Sequence, residues 1–190
     1  MLNILESIQE HQQVINELPN LMPKIEQIAR QMTTCIEQGG TIFWLGNGGS
    51  AADAQHLAAE LIGRFKKERR AISSLSLSTD TSVLTCLSND YEYSIVFSRQ
   101  LEALCRPNDL VIGLSTSGNS INILKAVEMA KLKGAYTIGL LGNEGGEIAG
   151  HVDCSLVIPS KNTARIQEAH ILIGHMVCEW LENAIVKKSN

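Results

Sequence analysis

The chain has 190 residues, the length of one ordinary domain, and its hydrophobic content of 44% is enough for a proper core. A formal net charge of −4 gives no bulk attraction for nucleic acid or another polyanion. Cys35, Cys86, Cys105, Cys154 and Cys178 are scattered, odd in number and without CxxC spacing, which suits reduced thiols in a cytoplasm rather than a disulfide framework or a zinc knuckle.

In chain order, residues 2–38 read as helical. Leu2, Leu5, Ile8, Val14, Ile15 and Leu18, then Ile25, Ile28, Ala29, Met32 and Ile36, recur at three- and four-residue steps. Pro19 and Pro23 predict a break into two helices. The first has an apolar stripe with no obvious intrachain partner, so packing on another subunit is expected of it. Met1 to Gln13 has no basic start followed by an apolar run, so it is not expected to be a signal peptide. No apolar run approaches membrane-spanning length.

Strand and helix patterns then alternate. Thr41–Leu45 is a strand, followed by a helix from Ser50 to about Phe65 with Ser50 as its N-cap. Ser73–Leu77 is the next strand, with helices around Ser82–Leu87 and Tyr93–Leu104. Leu110–Leu114, Tyr136–Leu141 and Ser155–Ile158 are further strands. Helices run from Asn119 and from about Thr163 to Val186. This predicts an α/β fold: a five-stranded, mainly parallel sheet flanked by helices on both faces, with right-handed crossovers.

Two strand-to-helix turns carry the chemistry. Gly113-Leu114-Ser115-Thr116-Ser117-Gly118-Asn119-Ser120 puts hydroxyls and flexible backbone where free N–H groups and a positive helix end collect. It lacks the lysine of a P-loop, which favours a phosphorylated metabolite over a nucleoside triphosphate. Gly46-Asn47-Gly48-Gly49-Ser50 is a second such turn. Two phosphate-type turns at strand carboxyl ends suggest one ligand held across an open sheet.

Possible metal ligands lie on two helices. His56 and Glu60 are four apart and share a helix face. Gln167 and His175 are eight apart, roughly 80° around the axis, and converge only on a point over Ile171. Glu168 and His175, seven apart, are a rival pairing, while His170 points elsewhere.

Gly46–Ser50, Asp53-Ala54-Gln55-His56, Glu60, Gly63-Arg64, Asn89-Asp90, Ser115–Ser120, Gly145-Gly146 and Arg165–His175 occur in an order that resembles the sugar isomerase (SIS) family. More narrowly, they resemble the phosphoheptose isomerases, which convert sedoheptulose 7-phosphate into a manno-heptose 7-phosphate. The resemblance spans nearly the whole chain. It implies a single SIS domain over 1–190, with oligomer-forming helices in 1–38 and an α/β core in 39–190. It implies one zinc per subunit on His56, Glu60, Gln167 and His175. Ser115, Thr116, Ser117 and Ser120 would hold phosphate, and Asn47, Gly48, Gly49, Asn89 and Asp90 would line the sugar. Ser50, Glu60, Arg64 and Gln167 complete the implied substrate set. A homotetramer in the cytoplasm, with sites built from more than one subunit, is also implied, with no nucleic-acid or membrane partner. Ala164 stands where some members carry Asp. Ketose-to-aldose conversion moves a proton between C2 and C1 through an enediol, and Glu60 and His175 are the acid–base candidates.

Two other readings compete. A close relative of these isomerases is a non-catalytic tetrameric protein that associates with the DnaA replication initiator. It shares both turns, but lacks Glu and His at the positions of Glu60 and His175. A sugar-phosphate sensor is the third reading, and the absence of a helix-turn-helix segment or basic patch counts against it.

Overall fold

The computed structural model of the protein describes residues 4–189. Leu2 of the expected helical stripe lies outside them. The strands are β1 (Ile42–Gly46), β2 (Ser74–Ser76), β3 (Leu110–Ser115), β4 (Tyr136–Leu141) and β5 (Cys154–Val157). They form one sheet of order β2-β1-β3-β4-β5, and every pairing is parallel. β1, β3 and β4 read as almost unbroken apolar runs because helices cover both faces.

The helices are α1 (Ile4–Glu37), α2 (Gly49–Ile62), α3 (Thr81–Asp90), α4 (Ser98–Leu104), α5 (Ile121–Leu132) and α6 (Thr163–Ser189). One face of the sheet packs against α1, α2 and α6 through residues such as Trp44, Leu57, Ile112 and Ile173. The other packs against α3, α4 and α5 through Phe43, Leu77, Leu101 and Ile123. The segment expected as one helix over Tyr93–Leu104 is a single 3-10 turn, Tyr93–Ile95, followed by α4.

The first correction concerns the prolines. Pro19 and Pro23 lie inside one continuous α1 instead of dividing it. Each costs about 3 kcal/mol in a helix interior. Both are exposed, so the carbonyls they leave unbonded can be hydrated. Val14, Leu18, Ile25, Ile28, Ala29, Met32, Cys35 and Ile36 form a buried stripe that runs past both. At roughly 1.5–3 kcal/mol for each large side chain, that burial outweighs the prolines.

A second correction follows. From Val14 onward the early part of α1 has an intrachain partner, since Val14 and Leu18 join the core that α6 helps to form. His11 Nδ1 lies 2.7 Å from Glu168 Oε2, Arg165 donates to Ser7 O at 2.5 Å, and Asn162 donates to Glu10 Oε2 at 2.9 Å. Ile4 and Ile8 remain exposed, at 80% and 50%.

A third correction moves a helix start. Ser50 is buried inside α2 and the N-cap is Gly48, at φ 55. A β-carbon on Gly46 would stand 2.5 Å from Ser50 O, so the chain turns too tightly for Ser50 to cap it.

The loops at the carboxyl edge of β3 and β4 lock together. Gly118 O accepts from Ile148 N at 2.9 Å, and Asn119 Oδ1 accepts from Glu147 N at 2.9 Å. Gly118 has φ +68, and a β-carbon there would lie 2.1 Å from Gly145 O. Gly39 has φ +78 with nothing within 4 Å. Gly39→Ala should therefore cost only the left-handed backbone penalty, about 1 kcal/mol, whereas Gly118→Ala should cost more than ~2 kcal/mol by adding a backbone collision. Urea midpoints check this, and equal losses in the two variants would refute it.

Candidate active site

The strand order reverses between β1 and β3, the position at which open parallel sheets bind ligands beyond their carboxyl ends. Gly46 pairs with Leu114 in register, so the glycine turn and the serine turn leave the sheet side by side.

In the serine turn, Ser115 is buried at 3% and works inward. Its Oγ accepts from Gly118 N at 3.1 Å and lies 3.1 Å from Ser120 Oγ and 3.4 Å from Ser117 Oγ. Thr116 and Ser120 are half-buried and Ser117 is exposed. Ser120 occupies the N-cap of α5 without bonding the helix through its side chain. Its hydroxyl and the first-turn N–H groups of α5 are thus arranged for an anion.

Asn47 is held by two residues that the sequence reading missed. Its Nδ2 donates to Asn122 Oδ1 at 2.9 Å, while its Oδ1 accepts from Asn122 Nδ2 at 2.8 Å and from Tyr93 Oη at 3.1 Å. Both acceptor positions of Asn47 are filled, so its remaining N–H is what it can offer a sugar oxygen. The sequence signal available for Asn122 was its place two residues after the serine turn, at the start of the expected helix. Asn89 and Asp90 bond each other at the exposed end of α3, at 2.8 Å. Among the described residues, no hydrogen bond ties either to the two turns. Gly48 and Gly49 are exposed, and the Gln167 amide covers Gly49, with Nε2 2.6 Å from where a β-carbon would stand.

α2 and α6 bring the metal candidates together. His56 Nε2 lies 2.9 Å from His175 Nε2 and 3.3 Å from Glu60 Oε1. Ligand atoms of the three lie within 4.8 Å of one another. Glu168 takes no part: it pairs with His11 and, at 2.6 Å, with Arg165, which removes the rival pairing. Gln167 sits against the glycine turn, about 12 Å along the α6 axis from His175.

Two histidines and a carboxylate form a donor set suited to zinc with an open position. Ligand atoms about 2.0–2.2 Å from a tetrahedral zinc stand roughly 3.3 Å apart, close to the spacings here. Burial, then the nearby charge of His56, lowers the pKa of His175, with Glu60 opposing, so its imidazole stays neutral and keeps a lone pair for a metal. Phe65, also missed, stacks on His175 with ring centroids 5.5 Å apart. One turn before His56, Asp53 keeps a buried Oδ2 without a hydrogen bond, and burial raises its pKa against the opposing charge of His56.

The SIS domain family matches residues 6–142. A phosphoheptose isomerase of Geotalea daltonii is 48% identical over 96% of this chain and 95% of its own length. That of Campylobacter jejuni is 49% identical over 96% and 98%. The chain belongs to the phosphoheptose isomerase family of SIS-domain enzymes. The solved phosphoheptose isomerase structure from Neisseria gonorrhoeae is 42% identical with a TM-score of 0.85, covering 94% of each chain. One from Francisella tularensis is 34% identical with a TM-score of 0.88, over 96% of this chain and all of the other. The family match ends before α6, but the Geotalea and Campylobacter relatives align over 96% of the chain, which takes in Gln167 and His175 on that helix.

His170 points away from the metal candidates, as its position on α6 suggested, and lies in the core of the protein. It is fully buried, its Nε2 donates to Leu141 O at 3.2 Å, and its Nδ1 has no partner. Burial pushes its pKa down to about 4. The unfolded chain protonates this residue near pH 6.5 and the native state only near 4, so protons favour unfolding in between. Stability should decline as pH falls from about 6.5 towards 4, by up to about 1.4 kcal/mol per pH unit from this group. Denaturant melts across that range should show a shallower decline for His170→Gln, and an unchanged slope would contradict the assignment.

Proposed function

We propose that this chain converts sedoheptulose 7-phosphate into D-glycero-D-manno-heptose 7-phosphate through an enediol. The observation that carries the reading is the His56–Glu60–His175 cluster on two helices whose neighbouring turns suit a sugar phosphate. Thr116, Ser117 and Ser120 hold the phosphate with the N-terminus of α5, while Ser115 braces the turn. Asn47, Gly48, Gly49, Ser50, Arg64, Asn89, Asp90 and Gln167 line the sugar in this reading. A phosphate anchored at one end restricts where C1 and C2 can lie, which converts binding into alignment.

His56, Glu60 and His175 would hold one zinc per subunit, with Gln167 as the fourth candidate. When bound, zinc supplies Lewis-acid stabilisation to the substrate's carbonyl and enediolate oxygens. Glu60 is the better placed base. Its Oε1 faces His56, and its Oε2 makes no hydrogen bond among the described residues, so one oxygen can ligate while the other carries the proton. His175 is the alternative carrier, through its second nitrogen or by leaving the metal.

The same reading takes residues 1–190 as one SIS unit that works as a cytoplasmic homotetramer. The exposed Ile4 and Ile8 at the start of α1 support an intersubunit role for that end. No helix among the described residues is long and apolar enough to cross a membrane. The product would feed nucleotide-activated heptose for surface glycans, lipopolysaccharide among them. The relatives above lend no support to an initiator-binding role, and Glu60 and His175 are both present.

The test is turnover of sedoheptulose 7-phosphate with and without a chelator. Purified protein should carry about one zinc per subunit, and metal-free protein should be inactive until zinc is restored. Glu60→Gln and His175→Asn should each lose about 10²–10⁴-fold in turnover while keeping fold and phosphate binding. Full activity without metal would remove the zinc role, and near-wild-type turnover in both variants would remove the assigned carriers. A protein inactive on every ketose phosphate tested, yet tightly bound to the initiator, would favour the rival.

A second test concerns the serine turn. Ser117→Ala and Ser120→Ala should raise KM more than they lower folding stability, because these hydroxyls face the ligand more than the core. Unchanged substrate affinity in both would leave the cradle without support.

A further inference from the structure

Between α2 and β2 the chain runs Gly63-Arg64-Phe65-Lys66-Lys67-Glu68-Arg69-Arg70. The segment has no regular structure, yet its backbone is densely bonded. Glu182, on α6 and buried to 1%, accepts from Phe65 N at 2.9 Å through Oε1, and from Lys66 N at 2.8 Å and Lys67 N at 2.9 Å through Oε2. Arg69 Nε lies 3.2 Å from Glu182 Oε1, and both side chains are 1% exposed. The rest of the guanidinium reaches back to α2. Nη2 donates to Glu60 O at 2.8 Å, and Nη1 donates to Leu61 O, Gly63 O and Arg70 O at 2.9–3.0 Å. One buried ion pair thus satisfies the last carbonyls of α2 and the first N–H groups beyond it.

Three residues of the proposed site hang on this pair. The main chain of Glu60 is bonded to it directly. Arg64 lies between Gly63, whose carbonyl is bonded to Arg69, and Phe65, whose N–H is bonded to Glu182. Phe65 carries the ring that stacks on His175. Burial alone would raise the pKa of Glu182, but the three N–H donors and Arg69 overcome that and hold it below the ordinary range.

We propose that Arg69 and Glu182 are positioning residues for the isomerase site, their buried pair holding 63–70 so that Glu60, Arg64 and the Phe65–His175 stack are set together. The proposal rests on the isomerase reading above for its consequence in turnover, but not for its consequence in the backbone.

Glu182→Gln and Arg69→Met test the pair, and Phe65→Ala tests the stack without touching it. Zinc affinity is read by competition with a chelator, and the serine turn by inhibition with inorganic phosphate. Supporting groups behind metal ligands typically account for 10–100-fold in affinity. Both pair variants should weaken zinc binding by about that factor and lower kcat at least tenfold, with phosphate inhibition unchanged within about twofold. Trypsin should cleave after Lys66 or Lys67 faster than in the wild type. If a pair variant does not fold, Phe65→Ala carries the test and should weaken zinc binding at wild-type thermal stability. Folded variants with wild-type zinc affinity, kcat and trypsin resistance would overturn the proposal. So would parallel loss of zinc and phosphate binding, which marks a general loss of structure. A wild type without zinc or turnover would overturn the isomerase reading instead, and the trypsin comparison would then decide whether the pair sets this segment.

Discussion

Leu57 of α2 fits into the notch that Gly174 leaves on α6. A β-carbon at 174 would stand 2.5 Å from Leu57 Cδ2, so a larger residue there would force the Leu57 side chain to shift. One residue away on each helix are His56 and His175, 119 positions apart in sequence and 2.9 Å apart in space. At the other end of the same contact, Gly49 leaves room for the Gln167 amide. The pairs 49 with 167 and 57 with 174 show that the helices run parallel. Two missing side chains thus make room for Leu57 and Gln167 between the elements that carry the metal candidates, on a seam otherwise packed with apolar residues.

The sheet supplies the second constraint. Because β1 and β3 are neighbours, the turns that follow them emerge together, although 63 residues of chain lie between Gly49 and Gly113. The serine turn is held from behind by the loop after β4, through Gly118 O, Asn119 Oδ1 and the tight contact between Gly118 and Gly145. Ser115 is drawn into this framework, and the less buried Thr116, Ser117 and Ser120 lie on its outer side.

Much of this was legible in the sequence because it depends on local pattern. The alternation of elements, the parallel sheet and the glycine-rich turns follow from composition and periodicity. The four-residue spacing of His56 and Glu60 reads directly as one helix face. What was not legible depends on distant partners. The break at Pro19 and Pro23 was a sound local expectation, overridden by a buried stripe whose partners lie elsewhere in the chain. The choice between Gln167 and Glu168 as companion of His175 could not be made from helix angles. The structure takes Glu168 out of that choice by pairing it with His11 and Arg165. The run Lys66-Lys67-Glu68-Arg69-Arg70 carries five charges, and only the fold shows that one of them is buried against Glu182.

The two ends of the site are built by different means, and this follows from what each must do. A phosphate is recognised by many weak, fixed donors, and the turn proposed to hold it is a short backbone turn braced by hydrogen bonds within and behind it. Proton transfer and metal ligation need a few side chains at defined mutual distances, and an error of one ångström there can cost about 10²-fold in rate. Side chains as long as Glu and His hold such distances only if their backbones are fixed and their rotamers packed. In the proposed reading that demand would be met by the packing of Leu57 against Gly174 between α2 and α6, by Phe65 on the ring of His175, and by the buried Arg69–Glu182 pair at the end of the helix that carries Glu60. A buried ion pair is a costly way to end a helix, because desolvating two charges opposes their attraction. Here the pair also satisfies the carbonyls of Glu60, Leu61 and Gly63 and the N–H groups of residues 65–67, which an apolar contact would leave without partners, so it fixes the backbone beside Glu60 as well as closing the helix.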